Sequence, residues 1–150
     1  MWLSRGARLV SAITLLVIPT IMYGGWTLLG ILTGGSVSPS PNVHLNDTQW
    51  ALWRAGHAHA GVWTILSLLL QIFLDSARLS APAKWIARIC APLAAVFLSA
   101  GFFAVSVAAS FRWLIYLGVL NMLTALLVTA FGLMRDLRGD AHAPREFRGG

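Results

Sequence analysis

Four long runs of apolar residues, separated by short polar segments, dominate the chain. The runs cover roughly residues 9–33, 56–74, 85–109 and 113–134. A helix needs about 20 apolar residues to cross a hydrocarbon core of about 30 Å, so each run is long enough for one transmembrane helix. The pattern therefore predicts an all-α protein, an integral membrane four-helix bundle formed by a single transmembrane domain over residues 1–150.

The longest polar segment, residues 34–53, separates the first two runs. Pro39 and Pro41 exclude regular structure from its centre, because proline lacks a backbone N–H. One of the polar residues 46–48 is suited to cap a short interfacial helix that continues to Trp53. We expect this segment to fold over one mouth of the bundle.

The composition supports the membrane class independently of the pattern. Hydrophobic residues make up 57% of the chain and charged residues only 11%, against about 25% charged in soluble domains. The single cysteine, Cys90, lies inside the third run and has no partner for a disulfide within the chain. A soluble domain beside the four runs is excluded by length.

The 11 Lys and Arg residues, which give a net charge of +6, are placed unevenly. All of them except Arg54 and Arg112 lie before the first run, around the second loop, or after the fourth run, where Arg145 and Arg148 close the sequence. The positive-inside rule then places both termini in the cytoplasm. The charge is an orientation signal for a multi-pass protein of a bacterial-type inner (plasma) membrane, and no nucleic-acid partner is expected.

Two histidines stand in the second apolar run, within the segment RAGHAHAGVWTILSLLLQIFLD. Polar groups in hydrocarbon are costly, so they are usually kept for a purpose. Read as a helix, His57 falls on a polar face with Thr64 and Gln71. His59 falls on an apolar face with Trp63, Leu66 and Leu70, which would offer an oily wall to a porphyrin. Residues two apart point about 200° apart, so the histidines cannot bind one metal ion together in a regular helix.

Several short motifs resemble the styrene oxide isomerase family. The matching residues are Trp53, Arg54, Ala58-His59-Ala60-Gly61 and Gly101-Phe102-Phe103. The resemblance implies four transmembrane helices, assembly as a trimer, and haem b bound through the histidine between neighbouring subunits. Together with the apolar helix face, it indicates a cofactor site at His59, His57, Trp63 and Arg54, with His59 as the axial iron ligand and His57 as the alternative.

The chain also departs from that family at two polar positions. The place of the family's asparagine falls on Ile65 if His59 is the ligand, or on Trp63 if His57 is, and the place of its tyrosine falls on Phe103. Both groups help to position the epoxide in the isomerases. The resemblance therefore implies haem retention more strongly than epoxide isomerisation.

The residues leave two functions open. In the first, five-coordinate haem iron acts as a Lewis acid on a small lipophilic epoxide. In the second, the protein is a membrane accessory subunit without catalysis of its own, either free of cofactor or binding copper where His44 approaches the histidine pair. The expected partners are the lipid bilayer, further copies of the chain and a small lipophilic ligand.

Overall fold

The computed structural model describes residues 3–41 and 43–141. Over these ranges the chain forms four helices and no strand: α1 Arg5–Leu32, α2 Asp47–Ser76, α3 Ala81–Val107 and α4 Arg112–Ala141, with a 3₁₀ turn at Ala109–Phe111. All four contain an apolar stretch long enough to cross a membrane. The predicted all-helical class with four long apolar helices is confirmed, whereas Arg145 and Arg148 of the basic tail lie outside the described residues.

The start of α2 shows how local chemistry extends an element beyond its apolar run. Asn46 and Gln49 form a capping box, in which Gln49 N donates to Asn46 Oδ1 (2.9 Å) and Asn46 N donates to Gln49 Oε1 (3.1 Å). From this cap the helix continues for 30 residues without a break. The segment up to Trp53 is therefore the first part of α2 and not a separate interfacial helix.

α3 lies at the centre of the bundle and packs along both α2 and α4, whereas α1 contacts mainly α2. The approach of α4 to α3 depends on Gly118, where an added Cβ would lie 2.7 Å from the backbone nitrogen of Leu98. A small residue at such a point lets two helix backbones approach closely. The apolar core accordingly forms between α2, α3 and α4, around Leu70, Ala91, Ala94, Met122 and Ala125.

α1 is the least enclosed of the four helices. Its buried residues are Ala7, Val10 and Thr14 near its start and Gly30 near its end. The contacts of α1 are thus concentrated towards its two ends. This arrangement leaves a gap between α1 and α3.

Candidate functional site

His59 lies on the flank of α2 that faces α3. Its Nδ1 is 2.7 Å from the carbonyl oxygen of Ala55, one turn earlier in the helix. A carbonyl can only accept, so Nδ1 carries the proton and Nε2 carries the free lone pair. The ring of Phe102 packs beside the imidazole, with ring centroids 4.8 Å apart. The helix thus presents a half-buried imidazole in the tautomer that ligates metals through Nε2.

The apolar side chains expected on the same face as His59 pack largely inside the bundle. Leu70 is buried in the core, and Trp63 and Leu66 pack against that core. The indole nitrogen of Trp63 is buried and finds no hydrogen-bond partner among the described residues. A flat apolar ligand at His59 would therefore contact the edges of these side chains and would need a second wall from outside the chain.

His57 lies on the other flank of the buried face and packs against α1. A Cβ added at Gly25 would lie only 2.9 Å from Nε2 of His57, so the ring occupies the space that glycine leaves. The two histidines therefore diverge around the helix, as their spacing of about 200° predicts. His57 packs against α1 and His59 packs against α3, so the two side chains have different surroundings.

The remaining predicted ligands do not join the pair. Arg54 is exposed and lies one turn before His57, about 140° around the axis from His59. His44 lines a small separate cavity with Ile31 and Pro41. Across the ranges that the structure describes, no three His, Cys, Asp or Glu side chains lie close enough together to hold a metal ion.

The positions that correspond to the polar groups of the isomerases are also apart from one another. Ile65 is 60% exposed and points away from the bundle. Phe103 packs inside, edge-on to Trp53, with ring centroids 5.6 Å apart. Trp53 in turn donates from Nε1 to Ser106 Oγ at 2.8 Å. Neither position places a hydrogen-bond donor beside His59.

A partly buried ionic cluster at the other end of α2 was not predicted as a site. Arg88, counted in the sequence only among the orienting charges, is 5% exposed and pairs through Nη2 with Asp75 Oδ1. The backbone N of Ser4 donates to Asp75 Oδ2 (2.7 Å), and its hydroxyl donates to Oδ1 (2.8 Å). The cluster therefore ties the start of α1 to α2 and α3. The available signal was a cation three residues inside an apolar run, where ionisable residues are usually paired.

Polar side chains continue from this cluster along α2 at intervals of four residues. Gln71 donates from Nε2 to the carbonyl oxygens of Ser67 (3.3 Å) and Arg88 (3.4 Å). Gln71 Oε1, Ser67 Oγ and Arg88 Nε are buried without a partner within the described part of the chain. This polar ridge is part of the α2–α3 contact and leads from the ionic cluster towards Trp63.

An apolar groove of about 450 Å³ lies between α1 and α3. Ile13, Thr14 and Val17 form one wall, and Leu93, Val96 and Ser99 form much of the other. α2 contributes Ala60 and Thr64. His59 does not line the groove, so the groove is separate from the surroundings of His59.

Comparison with known proteins gives no relative on which to base a family assignment: no protein-family model, no curated protein sequence and no solved structure matches the chain.

Proposed function

We propose that the protein is a haem b-binding integral membrane protein that resembles the styrene oxide isomerases and functions as a homo-oligomer. The observation that carries this proposal is the state of His59. Its Nδ1 is held by the Ala55 carbonyl at 2.7 Å, so Nε2 carries the lone pair that would ligate haem iron. The surrounding helix surface is apolar, as a porphyrin requires.

The residues around one face of the His59 imidazole fit a haem group. His59 would ligate the iron, the Ala55 carbonyl fixes the orientation of the imidazole, and the rings of Phe102 and Trp63 lie beside it. When bound, haem iron supplies a Lewis-acidic centre that can accept the oxygen of a small lipophilic epoxide. The second apolar wall would come from a neighbouring copy, which agrees with the trimer that the resemblance implies. Arg54 lies on the opposite flank of α2, so it would pair with haem carboxylates only across an interface between copies of the chain.

The proposed setting is a bacterial-type inner membrane, with both termini in the cytoplasm. The four apolar helices support insertion, and the distribution of Lys and Arg supports this orientation. His57 and His59 then lie near the outer side of the membrane, since α2 enters from outside.

A second candidate, a membrane accessory subunit without catalysis, is favoured by the packing of His57. The imidazole fills the space above Gly25 on α1, which is a structural use of the side chain. In this alternative His59 also serves only in helix packing, beside Phe102.

An absorption spectrum of the detergent-purified protein tests the proposal. After supplementation with haem we expect a Soret band corresponding to about one haem b per chain. His59→Ala should abolish the band, whereas His57→Ala should leave most of it, because the two side chains face different helices. His44→Ala, in the separate loop cavity, is the matched control and should have no effect. A wild-type protein without a Soret band would refute the haem assignment and leave the accessory subunit.

A further inference from the structure

The imidazole of His59 lies between its own helix and the last turns of α3. Its Nδ1 bonds to the Ala55 carbonyl at 2.7 Å. The ring of Phe102 lies beside it, with ring centroids 4.8 Å apart and the planes inclined by 38°. The bond to Ala55 requires one orientation of the imidazole, because hydrogen bonds weaken steeply when they are misaligned. A ring packed at this distance limits rotation of the imidazole and so favours that orientation.

α3 approaches α2 closely at Gly56, three residues before His59. A Cβ added at Gly56 would lie 3.2 Å from the Cβ of Phe102 and 3.0 Å from Cε2 of Phe103. Glycine thus permits the approach that brings Phe102 to the imidazole. α3 ends at Val107, only five residues after Phe102. Since the last four carbonyls of a helix lack an intrahelical partner, this end needs support from outside α3.

Ser106, in the last turn of α3, supplies that support. Its hydroxyl accepts from Trp53 Nε1 at 2.8 Å and donates to the carbonyl of Phe103 at 2.6 Å. Its own carbonyl, which has no intrahelical partner, accepts from Gln49 Nε2 at 3.1 Å. The ring of Trp53 also meets that of Phe103 edge-on. Both donors belong to α2, so Ser106 ties the end of α3 to the helix that carries His59.

The α2 residues that make these contacts lie along one stripe, spaced three or four apart: Gln49, Trp53, Gly56 and His59. A shift of the α3 end at Ser106 would therefore also move Phe102. We infer that Ser106 is a positioning residue for His59. Its bond to Trp53 holds the end of α3 in place, and Phe102 then keeps the imidazole on the Ala55 carbonyl. This role rests on the proposed function in that His59 is there the iron ligand.

Nitrogen-15 NMR of the full-length, haem-free protein in detergent tests this role. At alkaline pH, where imidazole is neutral, the shifts of the two ring nitrogens report which one carries the proton. His59→Ala identifies the signals of His59. The wild type should hold mainly the Nδ1–H tautomer. Ser106→Ala should lower the ratio of this tautomer to the Nε2–H tautomer about three- to tenfold, the effect of one hydrogen bond.

Further variants separate the hydrogen bond from general packing. Trp53→Phe removes the donor but keeps an aromatic ring, so it should match Ser106→Ala, and the double variant should show no larger effect. It also carries the test if Ser106→Ala does not fold. Ser106→Thr keeps the hydroxyl and should restore the wild-type ratio. Phe102→Ala should lower the ratio at least as far as Ser106→Ala does, because it removes the contacting ring.

Ser99→Ala is the matched control for Ser106→Ala. Its hydroxyl lies on the same helix but has no hydrogen bond within the described residues, so the tautomer ratio should stay at the wild-type value. If haem binds, Ser106→Ala should also raise the half-saturating haem concentration about three- to tenfold, because only the Nδ1–H tautomer leaves the Nε2 lone pair free.

Two results would overturn the inference. One is that Ser106→Ala and Trp53→Phe lower the unfolding temperature but leave the tautomer ratio of His59 unchanged, because the bond then only stabilises the helix pair. The other is an unchanged ratio in Phe102→Ala, because the imidazole then keeps its orientation without that ring. Both readings come from haem-free protein. A missing Soret band would therefore refute the haem proposal without changing either of them.

Discussion

The imidazole of His57 lies over Gly25 of α1, in space that a side chain there would occupy. At Gly25 an added Cβ would meet His57 Nε2 at 2.9 Å, whereas at the neighbouring Gly24 it would lie 3.8 Å from Nδ1, an ordinary contact. We expect Gly25→Ala to destabilise the protein by about 1–3 kcal/mol, because either the ring or α1 must move. Thermal unfolding in detergent measures the change.

Gly24→Ala is the matched control for that variant. Both substitutions gain up to about 1 kcal/mol in helix propensity, so the difference between them isolates the contact with His57. The double variant Gly25→Ala, His57→Ala should recover the stability lost in Gly25→Ala. Equal stability of the two alanine variants would contradict a close contact at Gly25.

Under the proposed haem function, epoxide isomerisation would depend on two positions that carry no donor. Ile65 points away from the bundle and Phe103 packs on Trp53. Losing one donor that stabilises developing charge typically lowers a rate about 10²- to 10³-fold. We expect the wild type to convert styrene oxide no faster than free haem in the same detergent, and Phe103→Tyr to raise the rate.

Gas chromatography of the aldehyde product measures this conversion. Phe111→Tyr, on the exposed turn between α3 and α4, is the control. Rapid isomerisation by the unmodified protein would contradict the expectation and indicate that another side chain positions the epoxide.

The sequence predicted that the two histidine side chains point in different directions, but it did not predict which residues surround them. Divergence follows from helical periodicity alone, since His57 and His59 are two residues apart. The contact of His57 with Gly25 depends on how α1 crosses α2, which no local pattern specifies.

Among the helices, the strongest polar connection is the cluster of Ser4, Asp75 and Arg88. Removing Arg88 would leave the partly buried Asp75 carboxylate with only its bonds from Ser4, and losing one charged hydrogen-bond partner typically costs about 1–3 kcal/mol. We expect Arg88→Met to destabilise the bundle by this order, measured by unfolding in detergent. Asp75→Asn combined with Arg88→Met should be less harmful than the sum of the single changes, because neither charge is then left alone.

Lys84→Met provides the comparison for Arg88→Met. Its ammonium donates to the carbonyl of Asp75 at 3.3 Å, so it belongs to the same region but not to the carboxylate pair. We expect only a small change in the unfolding temperature. A loss as large as that of Arg88→Met would show that positive charge in general, and not the pair, stabilises this end.

The helices themselves could be predicted from the sequence, because apolar runs and capping residues act locally. Asn46 was one of the polar residues expected to cap a helix, and it does so. The hydrophobic pattern did not predict that α2 begins at Asp47, because the first residues of this helix are polar and do not look like part of a transmembrane helix. It also missed the burial of Arg88, whose partner comes from another helix.

For the molecule as a whole, the distribution of charge predicts the orientation. Reporter fusions at Gly150 and at Leu79 should both read cytoplasmic, and a fusion at Pro41 should read outside, since nearly all of the 11 cations lie on one side. An enzyme reporter active only in the periplasm, paired with one active only in the cytoplasm, gives the two readings. An outside reading at Gly150 would mean that one of the four helices does not cross.

The pairing of Arg88 with Asp75 also has a consequence for biosynthesis. An arginine in an apolar helix opposes transfer into lipid by about 2.5–3.5 kcal/mol at the helix centre. Its carboxylate partner precedes it by only 13 residues, across the loop between α2 and α3. In a bundle that inserts into a membrane, a hairpin of α2 and α3 would carry this pair into lipid with its charges already neutralised. Ser4, although synthesised first, can complete the cluster only after Asp75 and Arg88 have been synthesised, so α1 gains this tie to the hairpin last.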